Sequence, residues 1–206
     1  MKKIAGFSAI GEAFIYIIAF VIYGGVLQFP TENNEQVIVF LKENYVLLYI
    51  MNMLIYVLFG VFLAVLVLGI HQHIRDISPN LSQVATVFGS IWVGLVIAAG
   101  MIGNIALTTV INMTDTQQAL ETWNNAQIVT EGLGGGNEVV GGLWVLLLTI
   151  AVLKQKEFPK FLVVLGMLVG LAGIFTIYPM EIFTEIFGLS QIVWFIGIGI
   201  FLIRNK

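Results

Sequence analysis

The feature that most constrains this chain is a succession of apolar stretches, each about as long as a bilayer is thick. A hydrocarbon core needs about 20 mostly apolar residues per helix. Six stretches meet that length: Ile4–Leu27, Tyr45–Ile70, Val84–Val110, Gly132–Leu153, Phe161–Tyr178 and Ile182–Ile203. Hydrocarbon offers no water to backbone N–H and C=O groups, so such stretches must close their hydrogen bonds internally as helices. The expected fold class is therefore all-α: a polytopic membrane protein, a six-transmembrane-helix bundle. Residues 1–206 read as a single transmembrane helical domain, with no soluble domain, internal repeat or low-complexity tail. The fourth stretch is the critical one. Its clean apolar part starts only at Val139, so Asn137 and Glu138 must lie inside the membrane for it to span. The sixth is interrupted by Thr184, Glu185 and Gln191.

Composition removes several function classes. Hydrophobic residues make up 59% of the chain and charged residues 10%, against about 25% charged in soluble domains. The net charge of −3 argues against nucleic acid as a partner. Cysteine is absent, which excludes disulfides, thiolate metal sites and thiol redox chemistry. Met1-Lys2-Lys3 followed by an apolar run resembles a secretory signal. Glu12 breaks that run and nothing near Gly24–Phe29 looks like a cleavage site, so the segment reads as an uncleaved first span.

The charges between the spans alternate. Lys2 and Lys3, Arg75, Lys154, Lys156 and Lys160, and Arg204 and Lys206 all fall on one side if the chain crosses six times. Lys42 alone falls on the other, among Glu32, Glu35, Glu43, Asp115, Glu121 and Glu181. Basic loops stay in the cytoplasm, which gives a multi-pass protein of the cell inner (plasma) membrane with both termini cytoplasmic. Local punctuation agrees. Thr31 after Pro30 can cap a short outer amphipathic helix over Glu32–Asn44. Ser78-Pro79-Asn80 is a tight inner turn, Phe158-Pro159 opens the fifth span, and Tyr178-Pro179 ends it. Asn112–Gln127 reads as the longest polar loop.

Polar side chains at membrane depth are expensive and usually face the bundle interior. Four spans carry them at helical spacing: Ser8, Glu12, Tyr16 and Tyr23; Tyr45, Tyr49, Asn52 and Tyr56; Thr86, Ser90, Asn104 and Thr108, with Gly100; and Glu131, Gly135, Glu138 and Gly142. Asn52, Asn104, Asn137 and Glu138 fall in the outer half of their spans, Tyr56 nearer the middle, and Glu12 in the inner half. The expected site is a polar, outward-opening pocket among the first four spans, with Glu138 at its floor. Its candidate ligand-binding residues are Glu12, Tyr16, Tyr49, Asn52, Tyr56, Asn104, Asn137 and Glu138. The competing reading is that these groups hydrogen-bond between helices and hold the bundle together, at about 1 kcal/mol each. A carboxylate is a costly glue where an amide would serve, so Glu138 favours a functional role.

Gly132-Leu133-Gly134-Gly135-Gly136 and Gly141-Gly142 have no following Lys-Ser/Thr and no preceding strand, so they are not a phosphate loop. They suit close helix packing against Gly166, Gly170 and Gly173, or a locally unwound helix of the kind transporters use. His71 and His73 stand two residues apart and diverge on a helix. Only Asp76 is a nearby third ligand, so no metal site is expected, and no partner histidine exists for haem. His-Glu-x-x-His, a rhomboid-like serine with a distant histidine, Cys-x-x-Cys, a P-loop and an arginine-rich voltage sensor are all missing.

The order of features also resembles a bacterial six-helix family. Pro30-Thr31-Glu32-Asn33-Asn34 leads to Glu43-Asn44-Tyr45. Gln72–Leu81 (QHIRDISPNL) is a basic turn before the third span. Gly141–Gly173 (GGLWVLLLTIAVLKQKEFPKFLVVLGMLVGLAG) resembles the family's helix–basic turn–helix unit. The family is domain of unknown function 4386. The chain departs from it at Phe88-Gly89-Ser90-Ile91-Trp92, where an Arg–Glu-containing start to the third span would be expected. The resemblance implies the six-helix fold and no activity, so it assigns no functional residue.

Three functions fit these residues. The first is binding or transport of a small or amphipathic ligand, a small molecule or a lipid, in the pocket. The second is a non-catalytic membrane partner or assembly subunit of another membrane protein. The third is an intramembrane enzyme using Glu12 or Glu138 as acid or base. The third ranks last for want of a second catalytic group. The lipid bilayer is a partner in every case, and no cofactor is implied.

Overall fold

The computed structural model describes residues 1–30, 34–153, 155, 158–178 and 180–204. The expectations for Thr31, Glu32, Lys154, Lys156, Pro179 and Lys206 lie outside them. Helix α1 (Lys2–Val21) passes into a π-helical turn at Ile22–Val26. The short α2 (Asn34–Glu43) is followed by α3 (Tyr45–Asn52), a π-helical stretch at Met53–Leu58 and α4 (Phe59–Ile74); the last three form one apolar rod of 30 residues. Then come α5 (Pro79–Ile111), α6 (Thr116–Thr130), a π-helical turn at Glu131–Gly135, α7 (Val139–Val152), α8 (Lys160–Phe175) and α9 (Glu181–Arg204).

Local chemistry explains most of these boundaries. Pro79 opens α5 at a position where its missing N–H loses no intrahelical bond. The segment expected as a polar loop is largely helix α6. The Asp115 carboxylate accepts from the Gln118 N–H at 3.1 Å and caps it. Ala119, Leu120 and Trp123 bury one face of α6 against Leu41, Leu107 and Val110. Hydropathy alone misses such a helix, because only a narrow stripe of it is apolar.

Six helices close a ring. α1 packs on α4, α4 on α5, α5 on α7, α7 on α8, α8 on α9, and α9 returns to α1. Among the described residues five helical segments are long and apolar enough to cross a membrane: Lys2–Val26, Tyr45–Ile74, Pro79–Ile111, Thr116–Val152 and Glu181–Arg204. The sixth ring member, α8, is a shorter apolar helix of 16 residues. Aromatic side chains fill the middle. Trp144 lies 5.7 Å from both Trp92 and Trp194, and Phe59 lies 6.0 Å from both Trp92 and Phe195. The outside is apolar as well: Phe7, Ile105 and Val164 are 64%, 66% and 70% exposed. Large apolar side chains turned outward on every side suit lipid as the surrounding solvent, so the chain is a multi-pass membrane protein.

Both termini lie at one end of the ring. A Cβ at Gly6 would lie 2.8 Å from the Gly199 carbonyl oxygen, so α1 and α9 run antiparallel in close contact. The Phe158 ring packs at 4.4 Å against that of Phe201, tilted by 44°, which brings the start of α8 to the same end. Ala5 packs on Gly69, which brings the end of α4 there too. Lys2, Lys3, Arg75, Lys160 and Arg204 therefore share that end, while α2 with Lys42 packs against α5 and α6 at the other.

At the end away from the termini, two neighbouring helices stop short. α7 begins only at Val139 and its antiparallel neighbour α8 ends at Phe175. At 1.5 Å per residue, α8 reaches about 24 Å, less than a hydrocarbon core of about 30 Å. The space above them is ringed by the end of α6, residues 131–138 and the start of α9.

Candidate binding cavity

The glycine cluster divides into two devices. Gly141 and Gly142 serve packing: a Cβ at Gly142 would meet the backbone of Gly170, Gly173 and Ile174 at 2.7–2.8 Å. Gly134 serves a break. It has φ 127° and ψ 20°, a conformation L side chains rarely adopt. The chain leaves the helix there and α7 restarts five residues later. Irregular backbone at membrane depth survives only where protein or a cavity satisfies its polar groups. Here the Glu138 N–H donates to Thr176 Oγ1 at 2.8 Å, and that hydroxyl donates on to the Gly173 carbonyl at 2.7 Å. The Thr184 hydroxyl donates to the Gly136 carbonyl at 3.3 Å. Asn137 Oδ1 accepts from the Val139 N–H at 3.3 Å.

A second irregularity faces this break. The π-helical stretch Met53–Leu58 carries Ile55 and Tyr56 toward α5 and the broken segment. Gly100 makes room for it, since a Cβ there would lie 2.5 Å from Tyr56 Cβ. Wide turns of this kind concentrate at functional sites. Between the two irregularities lies a cavity of about 140 Å³. Tyr16 and Ala19 of α1, Tyr56, Phe59 of α4, Trp92 and Val96 of α5, and Gly134, Gly135 and Glu138 line it, together with Ile15 and Ile55.

Glu138 is the charged member. It is nine-tenths buried, and its Oε2 has no hydrogen-bond partner. The indole Nε1 of Trp92 faces the carboxylate but is also unpartnered, short of hydrogen-bonding geometry. Tyr16 lies within electrostatic range of Glu138, Glu12 and Tyr56. Oε2 is a buried carboxylate oxygen beside open volume with no hydrogen bond made to it, so a ligand or water group can use it.

Above the cavity is an open vestibule of about 640 Å³ that shares Gly135 with it. Glu131, Glu181, Glu185 and Asn137 line this vestibule, and no lysine or arginine is among its described lining residues.

The other expected site residues separate into groups. Asn52 Nδ2 donates to Asn104 Oδ1 at 3.1 Å, and Asn104 Nδ2 donates to the Tyr49 carbonyl at 3.4 Å. These three knit α3 to α5 and do not line the cavity. Asn137 is exposed in the vestibule. Glu12 is sealed one turn along α1 from Tyr16, and neither of its oxygens has a partner. Ser90, aligned with the third-span stripe, is exposed, while Gly89 and Trp92 turn inward.

A family model described as domain of unknown function (DUF4386) matches residues 4–205. The chain belongs to the DUF4386 family. No curated protein and no solved structure matches it. As a DUF4386 member it is an integral membrane protein of unknown activity, and its site must be read from its own geometry.

In this DUF4386 chain His71 is engaged inside the bundle: Nδ1 lies 2.9 Å from both Ser82 Oγ and Thr86 Oγ1. His73 packs against Phe158 and Phe201. Among the described residues no group of three or more His, Cys, Asp or Glu side chains is placed to hold a metal ion. Sequence reasoning missed Phe59, Trp92 and Thr176. The spacing Gly89, Trp92, Val96 is a helical stripe, but an apolar one, and the search followed polar residues. Thr176 gave no signal, because its partner is 38 residues away.

Proposed function

We propose that this protein binds or transports a small, largely apolar ligand with one polar group, held in the cavity between α1, α4, α5 and the broken segment before α7. The observation that carries the reading is the Glu138 carboxylate: buried, without a partner at Oε2, and on the wall of a cavity large enough for a small organic molecule. Apolar walls with a few convergent polar groups are the usual composition of ligand sites. Structural glue is satisfied glue, as in the Asn52–Asn104 pair, and Glu138 lacks that satisfaction.

The reading is tested by thermal-shift screening of a small-molecule collection against purified protein and the Ala19→Phe variant. Ala19 is half-buried on the cavity wall, so a phenyl ring there fills the cavity at little cost to the core. Compounds that stabilise the native protein and lose their effect in Ala19→Phe support the reading. A screen in which every stabilising compound acts equally on both proteins refutes it.

The orientation follows from charge. The end that carries Lys2, Lys3, Arg75, Lys160 and Arg204 faces the cytoplasm of the bacterial inner membrane, and the vestibule faces out. The chain is free of cysteine, so single-cysteine variants report cleanly. Gln118→Cys should react with a membrane-impermeant maleimide in whole cells and Asp76→Cys only after lysis. The reverse pattern overturns the orientation.

A further inference from the structure

We infer that the cavity ligand is a small organic cation, such as an amine or quaternary ammonium, and that it reaches the cavity through the acidic vestibule. The inference rests on the small-ligand reading above and names its chemical class. Three independent observations carry it.

First, among the described residues the one acidic or basic side chain on the cavity wall is a carboxyl group. Glu138 is nine-tenths buried with Oε2 unpartnered, and no described lysine, arginine or histidine lines the cavity. A cation there would complete a pair with the ionised carboxylate at low dielectric, whereas an anion would oppose its ionisation.

Second, the remaining wall is aromatic. Tyr16, Tyr56, Phe59 and Trp92 all line the cavity, with the Tyr16 and Phe59 rings 5.5 Å apart and nearly perpendicular at 82°. Rings set at an angle present faces and edges to a shared space, and ring faces attract cations, most of all weakly hydrated alkylammonium groups. An inorganic cation would instead need six or more oxygen ligands, and the side chains of this wall supply one carboxylate and two tyrosine hydroxyls.

Third, the route in has the same polarity. The vestibule shares Gly135 with the cavity and carries Glu131, Glu181 and Glu185. A cleft lined by one sign of charge raises the local concentration of the opposite ion.

A free amine and the amine of a lipid headgroup share this chemistry. Equilibrium binding of radiolabelled tetramethylammonium to the full-length protein in phosphatidylglycerol nanodiscs tests the class. Unlabelled tert-butanol and pivalate serve as neutral and anionic competitors of similar shape. We expect one saturable tetramethylammonium site that neither competitor displaces at equal concentration. Glu138→Gln should weaken it at least about tenfold, the scale of one desolvated charge pair. Tyr56→Leu should weaken it about 2- to 30-fold, the range of a cation–π contact, and Tyr56→Phe much less. Displacement on adding phosphatidylethanolamine identifies the headgroup as the source of the amine; no displacement identifies a soluble amine.

Equal competition by tert-butanol, with binding unchanged in Glu138→Gln, overturns the cation class while the small-ligand reading stands. The competition series runs on native protein, so a poorly folding variant does not obscure that result. Absence of any saturable tetramethylammonium site overturns the inference outright. If, in addition, every stabilising compound of every class acts equally on native protein and Ala19→Phe, the parent reading is overturned as well.

Discussion

Gly142→Ala should loosen the bundle, although alanine is the better helix former. An added Cβ would lie 2.7 Å from Ile174 N, and 2.8 Å from both Gly170 O and Gly173 C. All three are backbone atoms, so no side chain can swing aside. Carbon contacts relax at about 3.5–4.0 Å, so α7 and α8 must part by roughly 0.7–1.3 Å. Overpacking of this kind costs about 1–3 kcal/mol. The Glu138 N–H bond to Thr176, 2.8 Å long and one helical turn away, would stretch with it, at a further cost of about 0.5–1.5 kcal/mol. Against this stands the gain of about 0.5–1 kcal/mol from replacing a helical glycine. The net is a loss of roughly 0.5–4 kcal/mol. Gly94→Ala is the matched control. It sits exposed within α5, and a Cβ there meets nothing within 4 Å, so only the gain of about 0.5–1 kcal/mol remains. The same chemical change should therefore have opposite signs at two positions. Both variants would be purified in one mild detergent and unfolded by heat or SDS, with far-UV circular dichroism as the readout. Gly142→Ala as stable as the native protein, or Gly94→Ala the less stable of the two, would refute the close α7–α8 approach.

Three further outcomes are expected. A double-mutant cycle with Asn52→Ala and Asn104→Ala should give a coupling of about 0.5–2 kcal/mol in SDS unfolding, as for interhelical hydrogen bonds in other membrane proteins; zero coupling would break the proposed pair. Gly134→Ala should cost about 1–2 kcal/mol in thermal unfolding from backbone conformation alone, because its Cβ meets only Val96 Cγ2 at an ordinary 3.7 Å, whereas Gly132→Ala, in open space and without a positive φ, should change stability little. Glu12→Met should stabilise the fold by about 1–3 kcal/mol, since it removes a buried polar group without partners; a lower unfolding midpoint would show that Glu12 has an essential partner in the membrane.

Much of the candidate site was visible in the sequence as chemistry but not as geometry. Tyr16, Tyr56 and Glu138 stood out because polar groups at membrane depth are costly, and all three line the cavity. Asn52 and Asn104 stood out for the same reason, yet they bond to each other. Residue type cannot separate these cases, because an amide that is satisfied and a carboxylate that is not look alike in a hydropathy profile. Extending an ideal helical stripe through Glu131, Gly135 and Glu138 also failed. The turn at Gly134 resets the rotation of the chain, so Glu131 is exposed and Glu138 buried. The aromatic half of the site was hidden because Phe59 and Trp92 look like ordinary core residues.

By itself the sequence determined the number of apolar spans, their order and the basic residues that share one end. A bilayer imposes a one-dimensional constraint, thickness against apolar length, and a linear sequence expresses it directly. Only the tertiary structure decided which face of each span turns inward, that α7 and α8 both stop short at the same end, and that Glu138 reaches a cavity with its Oε2 unpartnered. Those outcomes depend on rotation and contact between segments far apart in the chain. Two small local departures control them, the wide turn at Met53–Leu58 and the left-handed Gly134, and neither changes the hydropathy of the sequence.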